Sequence, residues 1–256
     1  MKKTLLKPHL EDIPFQFHLY FENANVYDSS CSPMARVVYI EKDGGYYLKC
    51  SEKGSLKKEA LLDEYFSKKG IGAKVLDYFS GDKDWLLTER VPGEDCTHAD
   101  YLSDPKRLCD TVAERLRALH EMDCRDCPVI HTEEYFKTVE QNRKKGLFDS
   151  SFADGIDAEA AWRKVQENKH LFKTDTLLHG DYCLPNIMLN NWSFSGFIDL
   201  GNGGVGDRHV DLFWGAWTLE FNLKTNEYRE RFFDAYGRDK IEREMIDVVA
   251  AAETFG

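Results

Sequence analysis

Within the stretch LLHGDYCLPNIMLNNWSFSGFIDL, residues 177–200, three side chains are spaced as a phosphoryl-transfer site requires. They are the carboxylate of Asp181, the amide of Asn186 and the carboxylate of Asp199. One carboxylate would orient an attacking hydroxyl and take its proton, while an amide oxygen and a second carboxylate would hold Mg²⁺ against nucleotide phosphates. Magnesium prefers hard oxygen ligands and keeps water or phosphate in its remaining positions, so one Asn and one Asp suffice. Asp and Asn are common in any loop because both favour turns. Here, however, the His-Gly-Asp triplet, the interval to Asn186 and the Ile-Asp-Leu-Gly run occur together and in order.

The elements that must position these groups follow from pattern. Thr176–Leu178 and Asn186–Leu189 are short apolar segments flanking the loop, and Phe194–Ile198 delivers Asp199. Upstream, Ala35–Glu41 and Tyr46–Cys50 flank a Lys42-Asp43-Gly44-Gly45 turn and predict a hairpin. A helix is expected over Ser55–Lys68 with Leu61, Leu62, Tyr65 and Phe66 on one face. Strands are expected over Ala73–Phe79 and Trp85–Thr88, with Gly81–Asp84 as the turn between them.

After Val91-Pro92-Gly93 the pattern becomes helical, with Asp104 capping a helix that has Pro105 in its first turn. Further helices are expected over Glu134–Lys145, Asp157–Asn168, Asp207–Phe221, Asn226–Tyr236 and Arg238–Thr254. These elements predict an α+β protein with a nucleotide-binding lobe over residues 1–91 and a catalytic and substrate-binding lobe over residues 92–256. A nucleotide is expected between them.

The hairpin also carries a cation for the phosphates. Lys49 lies near the end of its second strand, ten residues before Glu59 on the following helix, and a Lys–Glu pair of this kind fixes the ammonium for the α- and β-phosphates. The Ser29–Ala35 turn is not glycine-rich, so phosphate contact there would fall to serine hydroxyls and backbone N–H groups. No G-x-x-x-x-G-K-[ST] run occurs, which removes the P-loop class.

Gly201–Gly206 satisfies G-x-G-x-x-G, but only about fifty residues follow it and they read as helical, so a doubly wound dinucleotide fold cannot be completed. These glycines are expected to form a flexible turn after Asp199. His179 is expected to brace its loop, Asp211 to hydrogen-bond the backbone of that loop, and His120 to be a satisfied core histidine.

Composition bounds the rest. A chain of 256 residues with 42% hydrophobic and 13% aromatic residues is long enough and apolar enough for a large core. The net charge of −11 argues against nucleic acid and favours cationic partners. Seven scattered cysteines suit a reducing compartment, and Cys124-Arg-Asp-Cys127 lacks the second pair that a zinc site would need. No signal-peptide or membrane-span pattern is present, so a cytoplasmic protein with no membrane partner is expected.

On HGDYCLPNIML, FSGFIDLGNGGVGD with Asp211 beyond it, WLLTERVPGED, LRALHEMDCRDCP and the final AETF, the chain resembles the aminoglycoside O-phosphotransferases, particularly the 3′-type kanamycin kinases. The resemblance implies a bilobal protein-kinase-like fold, with a small antiparallel β N-lobe and a larger helical C-lobe. It implies phosphorylation of a drug hydroxyl with ATP and Mg²⁺ in antibiotic resistance, with GTP left open as donor, and a monomer or weak dimer.

By position, Asp181 would be the catalytic carboxylate and would also touch substrate, with Asn186 and Asp199 as metal ligands. Lys49 and Glu59 would form the phosphate pair. Ser32 would lie in the nucleotide-positioning loop, and the Glu89 carbonyl and Val91 N–H would contact adenine. Glu253 and Phe255 fall at substrate-contacting positions.

A polycationic substrate calls for a pocket lined with carboxylates and nearly free of hydrophobic selectivity. The candidates are Asp154, Asp157, Glu159 and Glu220, each equally at home on a solvated helix face. The sequence departs from the family's pattern at Asn202, Phe221-Asn222 and Gly256, which bears on drug range. The alternatives are a kinase of another small alcohol or amine, of choline, homoserine or sugar type, and a non-catalytic nucleotide-binding protein.

Overall fold

Alternation builds the first part of the chain. Strands β1 (Thr4–Leu6), β2 (Asn25–Asp28), β3 (Ala35–Glu41), β4 (Tyr46–Glu52), β5 (Val75–Ser80) and β6 (Lys83–Glu89) form an antiparallel sheet in the order β1-β2-β3-β4-β6-β5. Val26, Val38, Ile40, Leu48 and Leu87 share a core cluster with Phe17 and with Phe21 of the short helix α1 (His18–Phe21). Because successive side chains of a strand face opposite ways, Leu48 and Cys50 are buried on one side of β4 while Lys49 points to the other. The structure is a computed structural model describing residues 4–153 and 155–256. Its described residues form two compact units: everything up to Pro92 together with Ser195–Gly201, and Gly93–Phe194 together with Asn202–Gly256.

Helix α2 (Lys57–Lys68) differs from its predicted face. Leu62, Tyr65 and Phe66 are buried as expected, but Leu61 is exposed, and Glu59 and Asp63 take buried positions at i and i+4. The start of α2 is held from a distant strand. Asp84, which the sequence places in a turn, lies within β6 and is fully buried. It accepts from Leu56 N at 3.0 Å, the Tyr78 hydroxyl at 2.9 Å and the Ser80 hydroxyl at 2.7 Å.

The second unit is mostly helical. It contains β7 (Glu94–Asp95), α3 (Ala99–Leu102), α4 (Pro105–His120), α5 (Thr132–Lys144), α6 (Ala158–Asn168), β8 (Thr176–Leu178) and β9 (Ile187–Asn190). The hairpin into β10 (Ser193–Phe197) turns at Asn191 and Trp192, with φ of 51° and 69° as a two-residue connection of this hand requires. From Ser195 the chain belongs to the first unit.

Returning to the second unit, β11 (Gly204–Gly206) pairs antiparallel with β8, and α7 (His209–Leu223), α8 (Arg229–Tyr236) and α9 (Arg243–Glu253) complete it. The glycine run thus builds a strand as well as a turn. Gly204 and Gly206 sit in β11, against the Val129–His131 backbone, and no dinucleotide-binding turn forms. Asp104 caps α4 through Arg107 N, with Pro105 in the first turn as predicted. Among the described residues all seven cysteines are thiols, and no helix is long and apolar enough to cross a membrane.

Candidate active site

In the first unit three charged side chains meet, two of them ten residues apart and the third 150 residues from Lys49. Lys49 Nζ donates to both Glu59 oxygens at 2.8 Å and to Asp199 Oδ1 at 2.8 Å. Asp199 arrives there because the end of β10 docks beside α2. Phe197 N donates to Ile71 O at 2.8 Å, and the Phe66 and Phe197 rings pack edge to face at 6.3 Å. Asp199 itself has φ of 61°, a left-handed conformation that a non-glycine residue adopts only under local constraint and that gathers at functional sites.

Burial alone would lower the Lys49 pKa, but the Glu59 and Asp199 carboxylates outweigh it and hold the ammonium above the usual lysine range. One turn along α2, burial pushes the Asp63 carboxyl well above the carboxylate range, and the Glu59 charge adds to the effect.

The other predicted nucleotide-side residues also lie in this unit. Ser32 sits in the connection between β2 and β3, where its hydroxyl accepts from Met34 N at 3.1 Å. Glu89 ends β6 opposite Tyr46, its carboxylate 3.0 Å from Lys74 Nζ, and Val91 follows with a buried side chain.

In the second unit, the loop between β8 and β9 holds Asp181 and Asn186. The Asn186 side-chain nitrogen donates to both Asp181 O and Asp181 Oδ2 at 3.0 Å. Both partners can only accept, so the amide nitrogen is committed and Asn186 Oδ1 is left as a ligand atom.

Asp211, fully buried on α7, accepts from His179 N at 2.7 Å and Gly180 N at 2.8 Å, as expected of it. His120 completes the support, with Nε2 3.2 Å from Asp211 Oδ2 and Nδ1 2.9 Å from the Tyr236 hydroxyl. Burial lowers the His120 pKa against the pull of Asp211, and Nε2, which faces a carboxylate, donates to it. Burial opposes ionisation of Asp211 too. The His120 hydrogen bond and charge, with the loop N–H groups, overcome it and hold Asp211 below the usual carboxylate range. His179 braces the loop through Nδ1, which faces Asp181 N at 3.3 Å. Gly180 is obligatory, since with φ of 82° any Cβ there would lie 2.0 Å from Asn202 O.

The predicted substrate residues have mixed surroundings. Glu253 is buried at the end of α9, its Oε1 accepting from the Tyr135 hydroxyl at 2.8 Å, with the Trp214 indole a second donor. Burial pushes its pKa up to about 7 and the charge of Asp181 contributes in the same direction, so Glu253 lies within electrostatic reach of Asp181. The Phe255 ring is buried among Val139, Val165 and Ala251.

Asp157 caps α6 by accepting from Ala160 N at 2.8 Å, and Glu159 pairs with Arg143 at 3.0 Å. Asp154 lies outside the described residues. Among the described residues, no three His, Cys, Asp or Glu side chains gather as a metal cage.

Asp63, Tyr135, Trp214 and Thr218 belong to no motif in the sequence. Thr218 accepts from Leu184 N at 3.1 Å and so ties the Asp181 loop to α7 a second time. Asp63 was signalled only by its place four residues after Glu59, and the aromatic side chains read as ordinary core.

Residues 34–246 match the phosphotransferase enzyme family. The probable aminoglycoside 3′-phosphotransferase of Lactococcus lactis subsp. lactis (strain IL1403) is 47% identical over 256 residues, 98% of each chain. The crystal structure of a type VIII aminoglycoside-3′-phosphotransferase superposes with a TM-score of 0.77 at 21% identity, over 98% of this chain and 100% of that one. A Streptomyces rimosus ATCC10970 aminoglycoside phosphotransferase in complex with ADP and streptomycin gives a TM-score of 0.72 at 23% identity, over 86% and 90% of the two chains.

Proposed function

We propose that this chain, which belongs to the phosphotransferase enzyme family together with the aminoglycoside 3′-phosphotransferases, moves the terminal phosphoryl group of ATP to a hydroxyl of an aminoglycoside, at the 3′ position of kanamycin-type drugs, and so inactivates them. The observation that carries the reading is Lys49 held by Glu59 and Asp199 together, the arrangement that phosphoryl transfer of the kinase type needs for the α- and β-phosphates.

Asp181 is the group to orient the attacking hydroxyl and accept its proton. Asn186 keeps it in place from one side, and the backbone it rides on is anchored by Asp211. Asn186 Oδ1 and the exposed Asp199 carboxylate suit Mg²⁺ as hard oxygen donors, and the metal, when bound, neutralises charge on the phosphates. Lys49 supplies a fixed positive charge whose position is set before nucleotide arrives, so little reorganisation is left for the transition state. Ser32, Glu89 and Val91 serve the nucleotide, and Glu253 serves the cationic drug, with Phe255, Asp157 and Asp154 as further substrate-side positions. The protein acts in the cytoplasm, as a monomer or weak dimer, without nucleic acid or membrane partners.

Mass spectrometry of kanamycin after incubation with protein, ATP and Mg²⁺ tests the reading, with NMR of the product locating the phosphate. A gain of one phosphoryl group that disappears in Asp181→Ala, with ATP affinity retained, is expected. Turnover of choline, homoserine or sugars in place of aminoglycosides would overturn the substrate, and near-normal turnover in Asp181→Ala would overturn the base.

A further inference from the structure

Between Asp181 and Asn186 the loop carries Cys183, a half-buried thiol. Its backbone is held on both sides. Cys183 N donates to Asp181 O at 2.8 Å, and Cys183 O accepts from Asn186 N at 2.9 Å. The side chain lies within hydrogen-bonding reach of two others, the Asp181 carboxylate and the Thr218 hydroxyl. Burial first, and then the Asp181 charge, push the thiol well above the usual cysteine range, so the sulfur keeps its hydrogen. Cys183 is therefore an S–H donor and not a reactive thiolate.

The direction of donation is set from α7. Thr218 is buried, and its hydroxyl oxygen accepts twice, from Leu184 N at 3.1 Å and from Asn222 Nδ2 at 3.2 Å. The Asn222 amide has one sensible orientation, because the same nitrogen donates to the Thr218 carbonyl at 2.8 Å, where an amide oxygen would face another oxygen. A hydroxyl has two acceptor lone pairs and one hydrogen. With both lone pairs occupied, the Thr218 hydrogen is left to point at the Cys183 sulfur, and the S–H points on to Asp181. Asn222, a position where the sequence departs from the family's pattern, is thus tied to the loop through Thr218.

We propose that Cys183 is a positioning residue for Asp181, the last member of a one-way relay that runs from Asn222 through Thr218 to the thiol and ends on the carboxylate. The inference rests on the function proposed above and adds a second hold on Asp181 besides Asn186. A sulfur donor suits the task. S–H is a weak donor, so it steers the carboxylate while competing little for the lone pair that must meet the proton of the substrate hydroxyl. Leu184 N, held by the same Thr218 oxygen, keeps the backbone beside Cys183 in register with α7.

Steady-state kinetics of kanamycin phosphorylation by the wild type, Cys183→Ala and Cys183→Ser test the relay. Cys183→Ala should lower kcat about tenfold, the cost of a reacting group left loosely aimed while Asn186 still holds it. KM for ATP and for kanamycin should stay within about twofold, as for an interaction that matters only in the transition state. Cys183→Ser, which restores a donor, should recover kcat to within about threefold of the wild type. A packing role gives the opposite order, because a hydroxyl in a site shaped for sulfur is costlier than a methyl group. The S–H stretch of Cys183, isolated by infrared difference between the wild type and Cys183→Ala, reads the bond without turnover. It should lie below that of a free thiol and rise in Asp181→Ala.

Turnover of kanamycin with kcat of Cys183→Ala equal to or above that of Cys183→Ser would overturn the relay and leave the enzyme's function standing. An S–H stretch that responds to Asp181→Ala, in a protein that phosphorylates no aminoglycoside, would support the hold on Asp181 and overturn the function. A stretch at the free-thiol frequency, indifferent to Asp181→Ala, would overturn the relay whatever the kinetics.

Discussion

The anchoring of the Asp181 loop by Asp211 can be tested with a nearly isosteric change, Asp211→Asn. The carboxylate has one oxygen on His179 N and His120 Nε2 and the other on Gly180 N, with no solvent access. An asparagine must turn its NH₂ towards one of these donors, setting donor against donor and leaving a buried N–H unsatisfied at about 1–3 kcal/mol. The remaining bonds lose their ionic character, worth about another 1 kcal/mol. Destabilisation of about 2–4 kcal/mol follows, or a Tm lower by about 5–15 °C for a chain of this size.

Because the anchored backbone carries Asp181, displacement of the loop should cut kcat by about a hundredfold. Thermal denaturation followed by circular dichroism reads the first effect, and initial rates of drug phosphorylation read the second. The pH dependence supplies a sign. The Asp211 pKa is lowered in the folded protein, so its stabilisation is complete above the unfolded value of about 3.9 and fades as pH falls through the folded one. The wild type's advantage over Asp211→Asn should therefore shrink below about pH 4. A variant with unchanged Tm and turnover at pH 7 would refute the anchoring.

Two further predictions concern the other buried charges. Lys49→Met leaves Glu59 buried beside Asp63 with no cation, so it should lose about 2–4 kcal/mol of stability, somewhat less than for a fully enclosed pair, and about 10²–10³-fold in kcat/KM. Adding Glu59→Leu should recover stability in a urea melt without recovering activity, and recovered activity would show that the ammonium is dispensable. Glu253, with its pKa pushed up to about 7 by burial, contributes stability at low pH that is lost as pH rises through 7. The Tm of Glu253→Gln should thus gain on the wild type between about pH 5 and 8 and level off above, and a constant gap would contradict an uncharged Glu253 in the mildly acidic range.

The division between what the sequence discloses and what it conceals follows the range of the interactions. Lys49 and Glu59 are legible because a hairpin strand and the next helix bring them together over a short interval. The Asp181–Asn186 contact is likewise local, within a single loop. Asp199 is legible only as a motif. Nothing in its spacing states that the end of β10 crosses to the first unit and lays the carboxylate on Lys49, a contact spanning 150 residues that depends on Phe197 packing against Phe66.

The buried face of α2 departs from its periodicity for a related reason. Periodicity assigns burial to hydrophobic residues, yet Glu59 goes inward where Lys49 compensates its charge, Asp63 goes inward with burial pushing its carboxyl well above the carboxylate range, and Leu61 is left outside. Asp84 reads as a turn residue for as long as its three donors are unseen. The aromatic side chains of α7 are the converse case: Phe213, Trp214, Trp217 and Phe221 have the spacing of core residues, yet Phe213 is buried while Phe221 is 54% exposed. Local pattern therefore marks the residues suited to phosphoryl transfer, whereas tertiary packing decides which apolar side chains stay uncovered.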